Sequence, residues 1–306
     1  MIENVENHSL NFQPMQNTAK SAEPRQDRMP RPKRSPRSRW PALLCGAWFA
    51  ALCCAHNAAQ CGAQEAETAW RESATLPADE ATQAAAADER HVYAISSREI
   101  AKYDRHSGER LAGSSGSATH LNSGFVWQGS LYCAHSNYPM KPEHSELLVL
   151  DPDSMELTTY HDFAGQPGSL TWAVRHDDAW WCNFAFYDAD NRKSYLARFD
   201  DNWQEQARWT YPTKLVERLG RHSLSGGVWY HEQLLATDHD HEVLYRLALP
   251  RTGASDKPGV LELVEFVPAP FAGQGIAYDP VTDGLVGVVR KKKLVIFAQR
   301  EATLVR

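Results

Sequence analysis

From His91 to the C-terminus, apolar and polar residues alternate in short runs rather than at helical spacing. "HVYAIS", "EIAKYD", "GSLYCAHS", "ELLVLDP", "SYLARFD", "VLYRLALP", "VLELVEFV" and "LVIFAQ" are each a few residues long, rich in Val, Leu and Tyr, and bounded by Gly, Asp, Asn or Pro. That pattern predicts β-strands joined by tight turns. Only "PTKLVERLG" (212–220) carries a helical period, enough for one or two turns.

The runs recur as a unit. A Gly/Ser loop leads into an aromatic strand, and three more strands follow. The units are "NSGFVWQG–SLYCAHSN–SELLVLDP–MELTTYHDF", "GSLTWAVRHD–AWWCNFAFY–SYLARFDD–EQARWTYP", "LSGGVWYHE–QLLATDHDH–EVLYRLALP–VLELVEFVP" and "GQGIAYDPVTDG–LVGVVRK–KLVIFAQ–EATLVR". An opening unit, "HVYAIS–REIAKYDR–GERLAGSS", lacks its first strand. A period of roughly 45 to 55 residues is that of propeller blades. Four-stranded blades around a channel bury such repeats without long exposed edges. The fold expected for 91–306 is therefore an all-β propeller of about five four-stranded blades, with a β-sandwich as the alternative. The missing strand comes from the preceding segment, or the blade is three-stranded, or the unit boundaries are shifted by one. Closure is expected to pair a C-terminal strand with the N-terminal blade.

The chain before His91 reads differently. "MPRPKRSPRSRW" (29–40) is basic, "PALLCGAWFAALCCA" (41–55) has no charge, and "CGAQ" (61–64) supplies small residues. Residues 1–63 thus read as a signal peptide with a long basic n-region, with translation from Met29 as an alternative start. The apolar run is shorter than the roughly 20 residues that span a bilayer, although an uncleaved anchor is the other reading. Ala- and Glu-rich residues 64–90 read as a linker. A secreted or periplasmic protein with no stable membrane span after signal removal is expected.

Removing residues 1–63, which hold 8 of the 32 Lys and Arg and 4 of the 38 Asp and Glu, leaves a net charge of −10. "RKKK" (290–293) is the one basic run left. It reads as a solvated turn, and nucleic acid is not an expected partner. Cys133 and Cys182 occupy equivalent second-strand positions in adjacent units, too far apart for a disulfide, and are expected as buried thiols.

The run "HSLSGGVWYHEQLLATDHDHEVLYRLALP" followed by "GVLELVEFVPAPFAGQGIAYDP", over roughly residues 222–280, resembles a bacterial family of exported propellers that share its "tgHd…lYvLrlP" and "GQgiawd" phrases. More loosely, 91–306 resembles the quinoprotein-like and lactonase-like propellers, and some of the exported proteins carry cycloisomerase names. The resemblance implies a propeller and leaves the reaction open. No catalytic residue is carried over from it, since a seven-bladed lactonase has two more blades than this chain provides.

The loops entering the first strands, "THLNSG" (119–124), "PGSLTW" (167–172), "RHSLSGG" (221–227) and "AGQGI" (272–276), line one mouth of the expected channel. His120 and His222 are candidate acid and base, since imidazole titrates near neutrality. Asp238 joins them as a catalytic candidate. His135, Asn122, Thr171, Trp172, Ser225, His239 and Gln274 are candidate ligand contacts. "DHDH" (238–241) reads as a hairpin tip. Strand alternation sends Asp238 and Asp240 to one face and His239 and His241 to the other, short of the three ligands an open zinc site needs. No metal and no cofactor are expected. Asp240 and Lys292 are placed on the outer rim. Two readings follow: a module binding a small polar molecule, sugar or protein, supported by aromatic loops at Trp172, Trp229 and Tyr138; or a lactonase- or cycloisomerase-like enzyme acting on a small lactone or dicarboxylate.

Overall fold

Twenty strands pair in the structure, a computed structural model that describes residues 69–250 and 259–301. The chain begins with β1 (Trp70–Pro77), and the first unit consists of β2 (Ala84–Ala87), β3 (His91–Ile95), β4 (Ile100–Asp104) and β5 (Arg110–Gly113). Next come β6 (Leu121–Trp127), β7 (Ser130–Ser136), β8 (Ser145–Leu150) and β9 (Leu157–Asp162). The third unit holds β10 (Ser169–His176), β11 (Ala179–Ala185), β12 (Tyr195–Phe199) and β13 (Glu205–Thr210). Then follow β14 (Gly226–Tyr230), β15 (Gln233–Thr237), β16 (Val243–Ala248) and β17 (Glu262–Pro268), and finally β18 (Ala277–Asp279), β19 (Gly284–Val289) and β20 (Leu294–Arg300).

Four sheets take consecutive strands, β2 to β5, β6 to β9, β10 to β13 and β14 to β17, each antiparallel. The fifth has the order β18-β19-β20-β1. The innermost strands neighbour one another in turn, β2 beside β6, then β10, β14 and β18, and β18 lies beside β2 again. The protein is a five-bladed β-propeller.

The sequence of each strand follows its distance from the axis. Innermost strands converge, so small residues recur where they meet, and the large ring of Trp172 in β10 packs against Gly227. β2 is four consecutive alanines, all buried, and β14 opens with Gly226 and Gly227. Second strands lie between neighbouring blades and are apolar on both faces, as in β11, where all seven residues are buried. Outermost strands face solvent and are largely polar, as in β9 and β13, which keeps their free edges unattractive for pairing. Trp180, fully buried, packs with Trp127, Tyr132, Tyr160 and Trp203 between two blades. The expected helix is α1 (Thr213–Leu219), whose buried Leu215 and Leu219 lie one turn apart.

Two expectations are corrected. Residues 64–90 are not simply a linker, since 70–77 and 84–87 are strands β1 and β2. The polyalanine run looks too small to build a core, yet small side chains are what the axis demands. The missing strand of the first blade thus comes from the preceding segment. The fourth strand of the last blade is β1 rather than "EATLVR", so closure brings the N-terminal strand into the C-terminal blade. Residues 302–306 and the expected signal peptide lie outside the described residues. Among the described residues no helix is long and apolar enough to cross a membrane.

Cys133 and Cys182 are free and fully buried. Burial pushes the Cys133 thiol up to about 12 and the Cys182 thiol well above its usual value. Neither is a competent nucleophile while the fold is intact. Residues 64–306, which carry no other cysteine, should therefore resist iodoacetamide when expressed alone, and their melting temperature should be the same with and without reductant. A reductant-dependent drop, with a disulfide seen by mass spectrometry, would overturn this.

Candidate functional site

In each blade the loop before the innermost strand and the hairpin from the second to the third strand lie at the same end of the channel. At that mouth they enclose a cavity of about 200 Å³. His120, Asn122, Thr171, His222, Ser225, His239 and Gln274, all candidates from sequence, line it. Tyr138, Tyr187, Arg221 and Arg290 line it as well.

The His222 and His239 rings stack with centroids 4.1 Å apart and planes 6° from parallel. Asp240 Oδ1 lies 3.0 Å from His239 Nδ1, and Asp240 Oδ2 lies 4.0 Å from His222 Nε2. On the other side of the ring, Arg290 Nη1 is 3.4 Å from His239 Nε2. An arginine only donates, so His239 Nε2 is the accepting nitrogen, and the buried Nδ1 faces the Asp240 carboxylate without forming a hydrogen bond to it. Burial holds the His222 pKa below its ordinary value, and the His239 imidazole adds to the effect. Burial does the same to His120, followed by His135. His120 packs against Tyr138, with ring centroids 5.5 Å apart, and Tyr138 packs against Tyr187 at 4.8 Å.

His222, His239 and Asp240 bring three metal-ligating atoms within 4.8 Å of one another. Their arrangement does not suit a shared ion. A metal sits in the plane of each imidazole that binds it, and two separate parallel planes have no point in common. One ring would have to turn out of the stack before both could ligate.

Backbone conformation places Gln274. It is buried and adopts φ 69°, between Gly273 at φ 70° and Gly275. A left-handed non-glycine residue carries strain, and here bonds on every side offset it. The Gln274 N–H donates to the Asp238 carbonyl at 3.0 Å, its Nε2 donates to the His239 carbonyl at 3.0 Å, and its own carbonyl accepts from the Thr237 hydroxyl. A Cβ on Gly273 would stand 2.3 Å from the His239 carbonyl oxygen. The "GQG" phrase is what lets this loop lie against the "DHDH" tip. Asn122 and Thr171 are tied between blades, donating to the carbonyls of Leu170 at 2.9 Å and Leu224 at 2.8 Å.

Three candidates do not line the cavity. Asp238 is 2% exposed, and its carboxylate accepts from the Asp240 N–H at 2.8 Å, the His241 N–H at 2.7 Å and the Tyr245 hydroxyl at 2.7 Å, with His241 Nδ1 at 2.6 Å. Its bonding capacity is spent on shaping the tip. His135 is held within its own blade, where Nε2 accepts from the Thr119 N–H at 3.1 Å and Nδ1 faces Glu146 at 3.0 Å. Trp172 is fully buried with Gly227 packed over its indole. Of the aromatics expected around a ligand, Tyr138 alone is here, while Trp229 lies at the opposite mouth.

Removing the Asp238 carboxylate would strand a buried hydroxyl and two N–H groups. Asp238→Ala should therefore cost about 2–4 kcal/mol in urea unfolding, and His241→Ala, which removes only an exposed partner, less than about 1 kcal/mol. Equal losses would show that the ion pair rather than the turn is what matters.

Arg290 and Tyr187 were not singled out from sequence. The signal for both was positional, since they occupy the second-to-third-strand hairpins of their blades, as His239 does. In sequence Arg290 reads as one of a run with three lysines, and Lys291, Lys292 and Lys293 are indeed exposed.

No family model and no curated relative matches the chain. Among solved structures it is similar to a glutaminyl cyclase of Myxococcus xanthus at 7% identity and a TM-score of 0.51, covering 76% of this chain and 96% of that one. It is also similar to an oxidoreductase, described as a glucose dehydrogenase, of Thermus thermophilus at 8% identity and a TM-score of 0.48, covering 76% and 100%. The likeness to the first is one of fold, and neither lends this chain a residue role.

Proposed function

We propose that the protein binds a small polar molecule carrying an anionic group at this mouth, and that it does so outside the cytoplasm, as the leader-like pattern of residues 1–63 implies. The observation that carries the binding reading is the charge of the lining. Arg221 and Arg290 open onto the cavity, and among the described residues no carboxylate lines it, the Asp240 carboxylate lying behind the stacked His222 and His239. Arg221 has an exposed partner in Asp188 at 3.2 Å, whereas among the described residues Arg290 has no carboxylate within ion-pair distance. A guanidinium presents its donors in a fork that matches carboxylate or phosphate. Asn122, Ser225 and Gln274 add neutral polar groups, and Tyr138 and Tyr187 supply an aromatic wall.

A thermal-shift screen of the purified propeller tests this, with citrate, malate, phosphate, neutral monosaccharides and neutral lactones as probes. Anionic probes should raise the melting temperature and neutral ones should not. Stabilisation by sugars alone would overturn the charge argument.

pH supplies a second check. His120 and His222 are held neutral to lower pH than an ordinary histidine, so protonation in the empty protein begins to cost stability as pH falls below about 6.5. A bound anion favours the protonated rings. Its affinity should rise several-fold between pH 7.5 and 5.5, and the rise should shrink in His222→Ala. Affinity that falls on acidification would sink the assignment.

The lactonase- or cycloisomerase-like reading rests on a separate observation. His120 and His222 open on the same cavity, and both are biased to the neutral form that can take up a proton. Turnover of a lactone or dicarboxylate that is abolished in His222→Ala, with binding retained, would favour this enzyme over a binding module.

A further inference from the structure

The other end of the channel has the opposite chemistry. The innermost strands finish there, and their last residues enclose a second cavity of about 320 Å³. Val126, Val174 and Val228 contribute apolar wall from three blades, and Trp127, Trp229 and Tyr278 contribute aromatic rings. Three charged residues line it, Asp88, Glu89 and Arg175.

The arginine's charge is already matched. Arg175 Nη1 lies 2.6 Å from Asp201, and its guanidinium sits over the Trp127 and Trp180 rings, 5.0 Å from each centroid. The carboxylates are not matched in this way. Asp88 is held by the Arg90 and His91 N–H groups at 2.7 Å and the Tyr93 hydroxyl at 2.8 Å, with His91 Nδ1 at 3.3 Å. Burial works to raise its pKa, but these donors outweigh it and keep the carboxylate ionised. Glu89 is exposed and has no ion-pair partner among the described residues. The Asp88 oxygens are taken up by its turn, as those of Asp238 are, so Asp88 contributes charge at this apolar, aromatic-walled space and Glu89 is the carboxylate free to meet a ligand. Aromatic faces attract cations, and at this mouth one ring already carries a guanidinium.

We infer that this second mouth binds an organic cation, an amine or quaternary ammonium carrying an apolar group, with the charge beside Asp88 and Glu89 and the apolar part against the valines and aromatic rings. An anion is disfavoured by both carboxylates. A sugar is disfavoured by the valine wall, which offers its hydroxyls no partners. This site is independent of the anion reading at the other mouth.

The probe is benzyltrimethylammonium, followed by tryptophan fluorescence and calorimetry, with benzyl alcohol and benzoate as neutral and anionic counterparts. The ammonium should bind saturably, about tenfold tighter than benzyl alcohol, and benzoate should not bind. Glu89→Gln, at an exposed position, should weaken the ammonium about threefold. Tyr278→Leu should weaken it about fivefold, and the pair together at least tenfold. The melting temperature of each variant should match that of the parent, so that loss of binding is not loss of fold. Citrate affinity at the opposite mouth should be unchanged in all of them. Equal binding of all three probes, no saturable ammonium binding at millimolar concentration, indifference to both substitutions, or preferential binding of a methyl glycoside would each overturn the inference.

Discussion

Gly226→Ala should be among the most damaging single-methyl changes in this protein. Gly226 begins β14 at the channel axis, where the next blade's entering loop crosses it. A Cβ there would stand 2.7 Å from the Gln274 carbonyl oxygen, 2.8 Å from the Gly275 Cα and 2.8 Å from the Ile276 nitrogen. All three are backbone atoms and cannot rotate aside. Relief requires moving two blades apart at the axis or displacing the strained Gln274 turn. Overpacking of this kind costs about 3 kcal/mol, which for a domain of this size lowers the melting temperature by roughly 6–12 °C. Gly129→Ala is the control. Nothing stands within 4 Å of its Cβ position, and the change carries only the strain of φ 81° in an exposed hairpin. A Gly226→Ala protein that melts within about 2 °C of the parent would show that the axis is less tightly closed than these distances say.

The largest effect on ligand binding is expected from Arg221→Gln combined with Arg290→Gln. Each arginine is positioned to give an anion a charge-assisted hydrogen bond worth about 1.5–3 kcal/mol. Losing both should weaken an anionic ligand at least about 100-fold, and Arg290→Gln alone about tenfold or more. Arg290 holds no ion pair that the fold depends on, and Arg221 pairs only with an exposed aspartate, so stability should hardly change. Lys292→Gln, from the same basic run but exposed, should leave affinity within about twofold. Calorimetry with the best anionic probe decides the matter. An unchanged affinity in the double variant would remove the basis for assigning an anion to this mouth.

Much of the architecture was readable because a propeller repeats its pattern. Period-two strands with Gly/Ser loops between them marked the blades, and the equivalence of those loops brought His120, Asn122, Thr171, His222, Ser225 and Gln274 to one mouth, where the hairpin carrying His239 joins them. The failures share a cause, which is that residue type does not reveal where bonding capacity is spent. Asp238 looks like a free acid, but its carboxylate is consumed by the turn it organises. Trp172 looks like a surface platform in a loop, but it fills the space beneath Gly227. Arg290 looks like one of four solvated cations, and only the hairpin geometry turns it inward. The alanines of β2 looked too small to pack, because nothing in a linear sequence shows that five strands will crowd a common axis.

The way the ring closes has a mechanical consequence. β1 and β20 run antiparallel, with Trp70 opposite Arg300 at one end of the ladder and Pro77 opposite Leu294 at the other. The two ends of the propeller's chain therefore leave the last blade side by side, from the same end of a single strand pair. A load applied between them falls across the first rung of that ladder, then the next, because antiparallel hydrogen bonds lie perpendicular to the strands. Pulled by its ends, this ring should peel open one rung at a time at low force. A ladder loaded along its strands would have to break every rung at once. The chain that closes the circle is also the point where tension opens it.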